Sequence, residues 1–104
     1  MIYGIIYCAI CVKNMKRYIG QTVGKLNKRK NHHIYKAKIG STLYFHTALR
    51  KYGKESFIWE EIDKAFSKED LDNKEKYYIN FYHTQDKKLG YNISDGGYHW
   101  EMVE

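Results

Sequence analysis

Two short stretches decide the fold: Gly4-Ile5-Ile6-Tyr7-Cys8-Ala9-Ile10 and Lys16-Arg17-Tyr18-Ile19-Gly20-Gln21-Thr22. Both are rich in β-branched and aromatic residues, and a short polar segment separates them, which predicts a β-hairpin. In an antiparallel pair the numbers of opposed residues have a constant sum, and side chains alternate between the faces. A two-residue loop at Asn14-Met15 would make that sum odd. Tyr7 and Tyr18 would then project from one face, whereas a one-residue slip would separate them.

The composition indicates one globular domain over residues 1–104 with a polyanionic partner. Hydrophobic residues make up 43% of the 104 residues, enough for a modest core. The formal net charge of +6 favours nucleic acid or an anionic membrane surface, although plain solubility also explains a small basic protein. No apolar run approaches the ~20 residues of a membrane span, and no signal peptide is evident.

Two cysteines, Cys8 and Cys11, form a C-x-x-C pair within the first strand. A spacing of three on a strand places the two thiols on opposite faces, which argues against a zinc or redox site. Free thiols fit a reducing compartment. We therefore expect an intracellular protein, in the cytoplasm of a host cell or in the nucleus of a eukaryote.

The rest of the chain predicts helices around one further strand, and thus an α+β fold. One helix is expected from just after Gly24 to about residue 39, with Gly40 as the C-cap. A second is expected to run through Leu43 to residue 51, with Ser41-Thr42 as its cap. A third strand at residues 57–62 should join the hairpin sheet, and a last helix should cover residues 67–82.

The first helix carries two candidate site residues. At 100° per residue His33 falls on the same stripe as Leu26 and Ala37, which places it near the inward face. Arg29 lies one turn earlier, beside that stripe, so the two side chains can meet. His32 is expected to point away, which makes His33 the better candidate.

The last helix carries a charged residue at an inward position. Glu75 shares a stripe with Leu71, Tyr78 and Ile79. A carboxylate there needs a buried partner, the edge of a cleft or a bound cation. From the pattern alone, a structural ion pair and a functional site are equally good explanations.

These side chains could perform phosphodiester chemistry if they faced one cleft. Arg29 can donate forked hydrogen bonds to phosphate oxygens, and a lone carboxylate such as Glu75 suits one Mg²⁺ ion. A tyrosine, with an ordinary pKa of about 10, accepts a proton only where nearby cations favour the phenolate. His33 could aid that transfer. Without further information, core packing explains Tyr7 and Tyr18 better.

The order of five short motifs resembles the GIY-YIG nuclease family over nearly the whole chain. Each motif alone is weak, but five in this order are highly specific. They are Gly4-Ile5-Ile6-Tyr7, Tyr18-Ile19-Gly20, Arg29 with His33, Glu75-Lys76-Tyr77-Tyr78-Ile79, and Gly90-Tyr91-Asn92.

The resemblance implies a three-stranded antiparallel sheet flanked by helices and a metal-dependent DNA endonuclease. Family members cut one strand at a time and leave 5′-phosphate and 3′-hydroxyl ends. Glu75 would bind one Mg²⁺ or Mn²⁺ ion. The other implied roles are Tyr7 as general base, Tyr18 as an aid to positioning water or phosphate, Arg29 as the phosphate ligand, His33 as the assistant of the tyrosine, and Asn92 as a support of the site.

The chain departs from the family pattern in two places. Gly4 stands one residue earlier than the literal Gly-Ile-Tyr, so Ile5 fills the glycine position, while Tyr7 keeps the usual distance to Tyr18. Some phage homing members carry a histidine where Gly40 stands here. His46, on the following helix, is a weak substitute for it.

Residues 49–53 and 92–97 resemble phage and mobile-intron homing members, which usually read DNA through a separate region, so we expect the DNA-recognition domain to be separate or missing here. The domain alone should therefore bind DNA through phosphates. The candidate contacts are Lys13, Lys16, Arg17, Lys25, Lys28, Lys36 and Lys38. Two alternatives remain open. One is a non-catalytic DNA-binding module on the same basic surface, and the other is a protein-interaction domain with structural tyrosines.

Overall fold

The computed structural model describes residues 1–94 and 96. It confirms the α+β fold: a three-stranded antiparallel sheet with three helices. The elements are β1 (Gly4–Cys11), β2 (Arg17–Thr22), α1 (Leu26–Lys38), α2 (Tyr44–Tyr52), a single 3₁₀ turn (Lys54–Ser56), β3 (Phe57–Ala65) and α3 (Lys68–Tyr82). Within these residues no helix is both long enough and apolar enough to cross a bilayer.

The register of the hairpin has an odd sum, as predicted. Tyr7 pairs with Gly20 and Ala9 with Tyr18, so that Tyr7 and Tyr18 project from the same face of the sheet. The expected two-residue loop at Asn14-Met15 is wrong. It would pair Lys13 with Lys16, but the observed register is shifted by two residues from that one, so that Arg17 pairs with Ile10. The turn is longer and closes through a 2.7 Å bond from the Met15 N–H to the Cys11 carbonyl. Since the change is even, it leaves the tyrosines on one face.

The strands are ordered β2-β1-β3, and each face of the sheet has its own core. Tyr7 and Cys11 lie in the core that includes α1 and α2, whereas Cys8 and Leu71 lie in the core that includes α3. The two cysteines are thus on opposite faces, as predicted, and both are free. Burial raises the pKa of the Cys8 thiol to about 11, so this thiol is protonated at neutral pH.

Two elements differ from their predicted bounds. Strand β3 continues to Ala65, and its pairing with β1 shifts by one residue between Ile6 and Tyr7, which is a β-bulge. Helix α2 begins at Tyr44 with Leu43 as its N-cap, so the expected cap at Ser41-Thr42 is wrong. Helix α3 begins after Ser67, whose side chain accepts the Asp70 N–H, as in an ordinary N-cap.

The segment after α3 covers the free edge of β2. The Tyr91 N–H donates to the Arg17 carbonyl at 2.9 Å, and the Arg17 N–H donates to the Leu89 carbonyl at 3.2 Å. These bonds satisfy backbone groups that an edge strand would otherwise expose. The predicted turn-rich tail extends to residue 97, and its Asp95 and Gly97 lie outside the described residues.

Candidate active site

The Tyr7 hydroxyl is the centre of the site. Its oxygen lies 2.7 Å from Nε2 of His33, and Nε of Arg29 donates to it at 3.4 Å. The tyrosine itself is fully buried. Three predicted residues from β1 and α1 therefore meet at one phenol oxygen, as the helix spacing indicated.

Gly20 makes room for the Tyr7 ring. It stands opposite Tyr7 in the hairpin, and a methyl group at this position would overlap the phenol ring. The ring and its hydroxyl can therefore lie over Gly20 of β2. A side chain at position 20 would force the ring out of this position.

We predict that Gly20→Ala lowers the free energy of unfolding by about 1–3 kcal/mol, the usual cost of overpacking a core. Gly24→Ala is the matched control, because a methyl group there meets only Oγ1 of Thr22, at 3.8 Å. Its expected effect is below about 1 kcal/mol. Urea unfolding of both variants measures the difference. Equal stability of the two variants would contradict the close packing of Tyr7 on Gly20.

His33 is buried among aromatic rings and is neutral at pH 7. Burial, helped by the nearby Arg29, His46 and His32, holds the pKa of His33 well below its usual range. The Tyr18 ring meets it edge-on at 5.5 Å. A neutral imidazole has one ring nitrogen without a proton, so His33 can accept a hydrogen bond from the Tyr7 hydroxyl.

Tyr18 packs beside this group. Its ring is stacked on Phe45 at 4.1 Å, and its centre lies 6.3 Å from that of Tyr7. It also borders the open cleft described next. Tyr18 is therefore placed to line a bound substrate.

An open cleft of about 680 Å³ adjoins the site. Its walls come from α1, the segment before α2, and the segment after α3. Residues that line it include Tyr18, Arg29, His33, Lys36, His46 and Asn92. His32, which was expected to lie away from the inward stripe of α1, is half-buried and also lines this cleft.

His46 is a site residue to which the sequence gave only a weak role. Its Nε2 lies 2.8 Å from Nδ1 of His33, and its own Nδ1 lies 2.7 Å from Oγ of Ser41. A hydrogen-bonded row thus runs from Tyr7 through His33 and His46 to Ser41. The apolar pattern of α2 is consistent with burial of His46, but nothing in the sequence indicates that His46 contacts His33.

Glu75 approaches β2 from the opposite face of the sheet. It is fully buried on α3, as the stripe predicted, and Nε2 of Gln21 donates to its Oε1 at 2.9 Å. Gln21 follows Gly20, over which the Tyr7 ring lies. Tyr7 and Glu75 therefore reach neighbouring residues of β2, one from each face.

Glu75 is the side chain best suited to hold a hard divalent cation. The described residues contain no group of three His, Cys, Asp or Glu that could cage a metal ion. One carboxylate fits a Mg²⁺ ion that keeps most of its waters and takes further oxygens from substrate phosphate. Beside it, the buried Oε1 of Gln21 has no hydrogen-bond partner in the described structure. The oxygen chemistry thus fits one ion.

Asn92 fastens the segment after α3 to the edge strand. Its Oδ1 accepts the Ile19 N–H at 2.8 Å, and its Nδ2 donates to the Ile19 carbonyl at 2.8 Å. Ile19 lies between Tyr18 and Gly20. Asn92 therefore shapes β2 where it adjoins the site, which agrees with a supporting role.

We predict that Asn92→Ala lowers the free energy of unfolding by about 1–3 kcal/mol, because it removes both bonds to Ile19. Asn92→Asp should not restore stability, since its second oxygen would face the Ile19 carbonyl. Asn31→Ala, at an exposed position of α1, is the control with an expected effect below about 0.5 kcal/mol. Thermal unfolding compares the three. Wild-type stability of Asn92→Asp would show that the paired bonds contribute little.

Three of the basic residues predicted to bind DNA border the site. Lys36 lines the large cleft, and Lys25 and Lys28 line a second cavity of about 240 Å³. Arg29 and His32 line both cavities, which places the two side by side. The N-terminal half of α1 therefore presents cations next to Tyr7.

Of the other four predicted DNA contacts, Lys38 is exposed at the end of α1, and three lie on or near the hairpin turn. Nζ of Lys16 donates to the Tyr44 hydroxyl at 3.2 Å, and the Arg17 guanidinium lies 4.6 Å from the centre of the Tyr82 ring. Lys13 is exposed in the turn. Lys16 and Arg17 thus pack against aromatic rings, which lowers their value as DNA contacts.

Comparison with known proteins identifies the family. The family described as "GIY-YIG catalytic domain" matches residues 3–92. One similar structure is described as the "catalytic domain of intron endonuclease I-TevI, E75A mutant", with a TM-score of 0.73 and 23% identity over 89% of this chain and 95% of that one. Another, the "Catalytic Domain of Homing Endonuclease I-TevI", has a TM-score of 0.70 and 25% identity over 88% and 98%. No curated protein sequence gives a significant match. Because the family match spans most of its length, this chain is an endonuclease that belongs to the GIY-YIG family.

Proposed function

We propose that the chain is a metal-dependent DNA endonuclease that nicks one strand by hydrolysis of a phosphodiester bond. The observation that carries the proposal is the Tyr7 oxygen, which contacts both a neutral imidazole and a guanidinium beside an open, basic cleft. A base, a proton acceptor and a phosphate ligand are thus within reach of one another. This combination is what hydrolysis of a phosphodiester requires.

Tyr7 and His33 together remove a proton from the attacking water. The water gives its proton to the Tyr7 oxygen while the phenolic proton moves to Nε2 of His33. Neither group needs to ionise beforehand, because His33 is neutral and able to accept. The hydroxide then bonds to phosphorus as the bond to the 3′-oxygen breaks. The departing 3′-oxygen takes up a proton from solvent, which leaves a 5′-phosphate and a 3′-hydroxyl.

Arg29 has two tasks in this reaction. Its cation near the Tyr7 oxygen favours negative charge on the phenol, which eases transfer of the water proton. Its guanidinium can also donate to phosphate oxygens, where charge grows in the transition state. Tyr18, on the cleft wall, would position water or phosphate, and Asn92 would keep β2 in shape.

Glu75 would hold one Mg²⁺ or Mn²⁺ ion from the other side of β2. When bound, the ion would act as a Lewis acid that neutralises charge on the phosphate and the leaving oxygen. Glu75 and the Tyr7 ring approach β2 at adjacent residues, Gln21 and Gly20, so the metal and the base would act at one edge of the sheet.

DNA would bind along α1, where Lys25, Lys28 and Lys36 line the two cavities. These contacts recognise phosphates rather than bases, so the domain by itself would bind weakly and without strong sequence preference. Each phosphate contact steepens the loss of affinity with salt, by a slope of about 0.9 per phosphate on a log–log plot. In a homing enzyme, sequence reading would come from a separate DNA-recognition domain.

The test is nicking of supercoiled plasmid with Mg²⁺, followed by treatment of the nicked product with DNA ligase. We expect open-circular DNA that the ligase reseals, because resealing needs a 5′-phosphate and a 3′-hydroxyl. Chelation with EDTA should abolish the nicking. Plasmid binding without any nicking, at any Mg²⁺ or Mn²⁺ concentration, would instead identify a non-catalytic DNA-binding module.

A further inference from the structure

Three hydrogen bonds connect Tyr7, His33, His46 and Ser41 in a row, and the donor of each bond can be deduced. The three contacts are Tyr7 hydroxyl to His33 Nε2, His33 Nδ1 to His46 Nε2, and His46 Nδ1 to Ser41 Oγ, at 2.7, 2.8 and 2.7 Å. Each contact needs one donor. A neutral imidazole carries one proton, so it donates at one ring nitrogen and accepts at the other. If both imidazoles are neutral, all protons in the row point the same way.

Two directions satisfy these bonds. In the first, Tyr7 donates to His33, His33 donates to His46, and His46 donates to Ser41. In the second, every donor is reversed, and Nε2 of His33 donates to the Tyr7 oxygen. Ser41 permits both, since its Oγ also accepts the Leu43 N–H at 3.3 Å and still keeps an acceptor and a donor.

Arg29 distinguishes the two directions. Its Nε is a donor only, and it already donates to the Tyr7 oxygen. In the second direction His33 would be another donor to that oxygen. In the first, the oxygen accepts one hydrogen bond fewer and the phenolic proton already points at its acceptor. The first direction thus suits a phenol that must take a proton from water.

We propose that His46 is a positioning residue that holds His33 protonated at Nδ1, leaving Nε2 to accept the Tyr7 proton. This inference rests on the proposed function of Tyr7 as the base. Nε2 of His46 faces Nδ1 of His33, as the orienting group behind the imidazole does in other nucleophile–base pairs. Ser41 in turn fixes His46 by accepting its Nδ1–H.

Helix packing makes His46 able to do this. It is a buried residue of α2, thirteen positions from His33 of α1, and its ring centre lies 5.0 Å from that of His33. Ser41 lies in the connection between the two helices. The orienting pair therefore comes from elements that do not contribute Tyr7 or Arg29.

The test is ¹⁵N NMR of the histidine rings at neutral pH in the wild type, His46→Gln and His46→Leu. We expect the His33 signals of the wild type to show a proton on Nδ1. Glutamine places an oxygen where Nε2 of His46 stood, so it should keep the same His33 tautomer. Leucine offers no acceptor, and His33 should shift toward the tautomer protonated at Nε2.

Nicking assays on the same variants give the second readout. His46→Gln should cleave within about 3-fold of the wild type and His46→Leu about 10-fold more slowly, in line with the usual effect of outer partners on an active imidazole. A wild-type His33 protonated at Nε2, or unchanged His33 signals in folded His46→Leu, would overturn the inference. If the wild type does not nick at all, the proposed function fails, but the spectra still decide the tautomer.

Discussion

Replacing Tyr7 with phenylalanine should slow single-turnover nicking by about 10²- to 10³-fold, the range expected for loss of a general base. The reason is that Tyr7→Phe removes only the oxygen that contacts His33 and Arg29, while the ring still fills the space over Gly20. DNA affinity should be unchanged, because Tyr7 is fully buried and its replacement removes no basic group that could bind DNA phosphates. Single-turnover kinetics with saturating enzyme separate the two effects.

Tyr78→Phe is the matched control for this prediction. The Tyr78 hydroxyl donates to Asp63 at 2.8 Å, and that bond raises the pKa of Tyr78 to about 12. Tyr78→Phe thus removes a hydrogen-bonded hydroxyl from α3, away from His33 and Arg29. It should nick at the wild-type rate. If Tyr7→Phe also nicks at that rate, Tyr7 is a core aromatic residue and not the base.

Replacing Glu75 with glutamine should slow nicking by about 10³-fold or more. Loss of a metal ligand removes several kcal/mol of charge stabilisation from the transition state, and each 1.36 kcal/mol is worth about tenfold in rate. Glutamine keeps the volume of the side chain, and its amide oxygen can still accept from Nε2 of Gln21. Glu75→Gln therefore removes the charge while retaining the packing.

Glu69→Gln is the control, since Glu69 is an exposed residue in the first turn of the same helix. Metal binding gives a readout besides activity. Mn²⁺ should bind the wild type and the control, as followed by its effect on water proton relaxation, and should bind Glu75→Gln more weakly. Equal Mn²⁺ binding by all three proteins, with equal nicking rates, would show that Glu75 does not bind the metal ion.

The sequence predicted which residues face the interior better than it predicted which of them contact one another. Periodicity identified His33 and Glu75 as inward-facing, because burial on a helix repeats every 3.6 residues. The predicted parity of the hairpin survived a wrong loop because the register differs from the predicted one by two residues, and side chains alternate with a period of two. The loop itself escaped prediction, since Met15 adopts a positive φ of 63° without the glycine or asparagine that usually marks such a residue.

The features that escaped prediction depend on contacts between elements. His46 meets His33 only because α1 and α2 pack side by side, and no spacing within either helix encodes that distance. Asn92 pairs with the backbone of Ile19, a contact that has no side-chain signature in β2. The stripe likewise predicted that Glu75 is buried but not which face of the sheet its helix covers.

The most direct test of the proposed nuclease site is the initial rate of plasmid nicking in Mg²⁺ by equal amounts of folded wild type, Tyr7→Phe and Glu75→Gln. The arrangement around β2 predicts that the wild type converts supercoiled plasmid to the open-circular form. Both variants should be slower by at least about 100-fold. Nicking by both variants at the wild-type rate would contradict the site, because neither the phenol oxygen nor the buried carboxylate would then take part in the reaction.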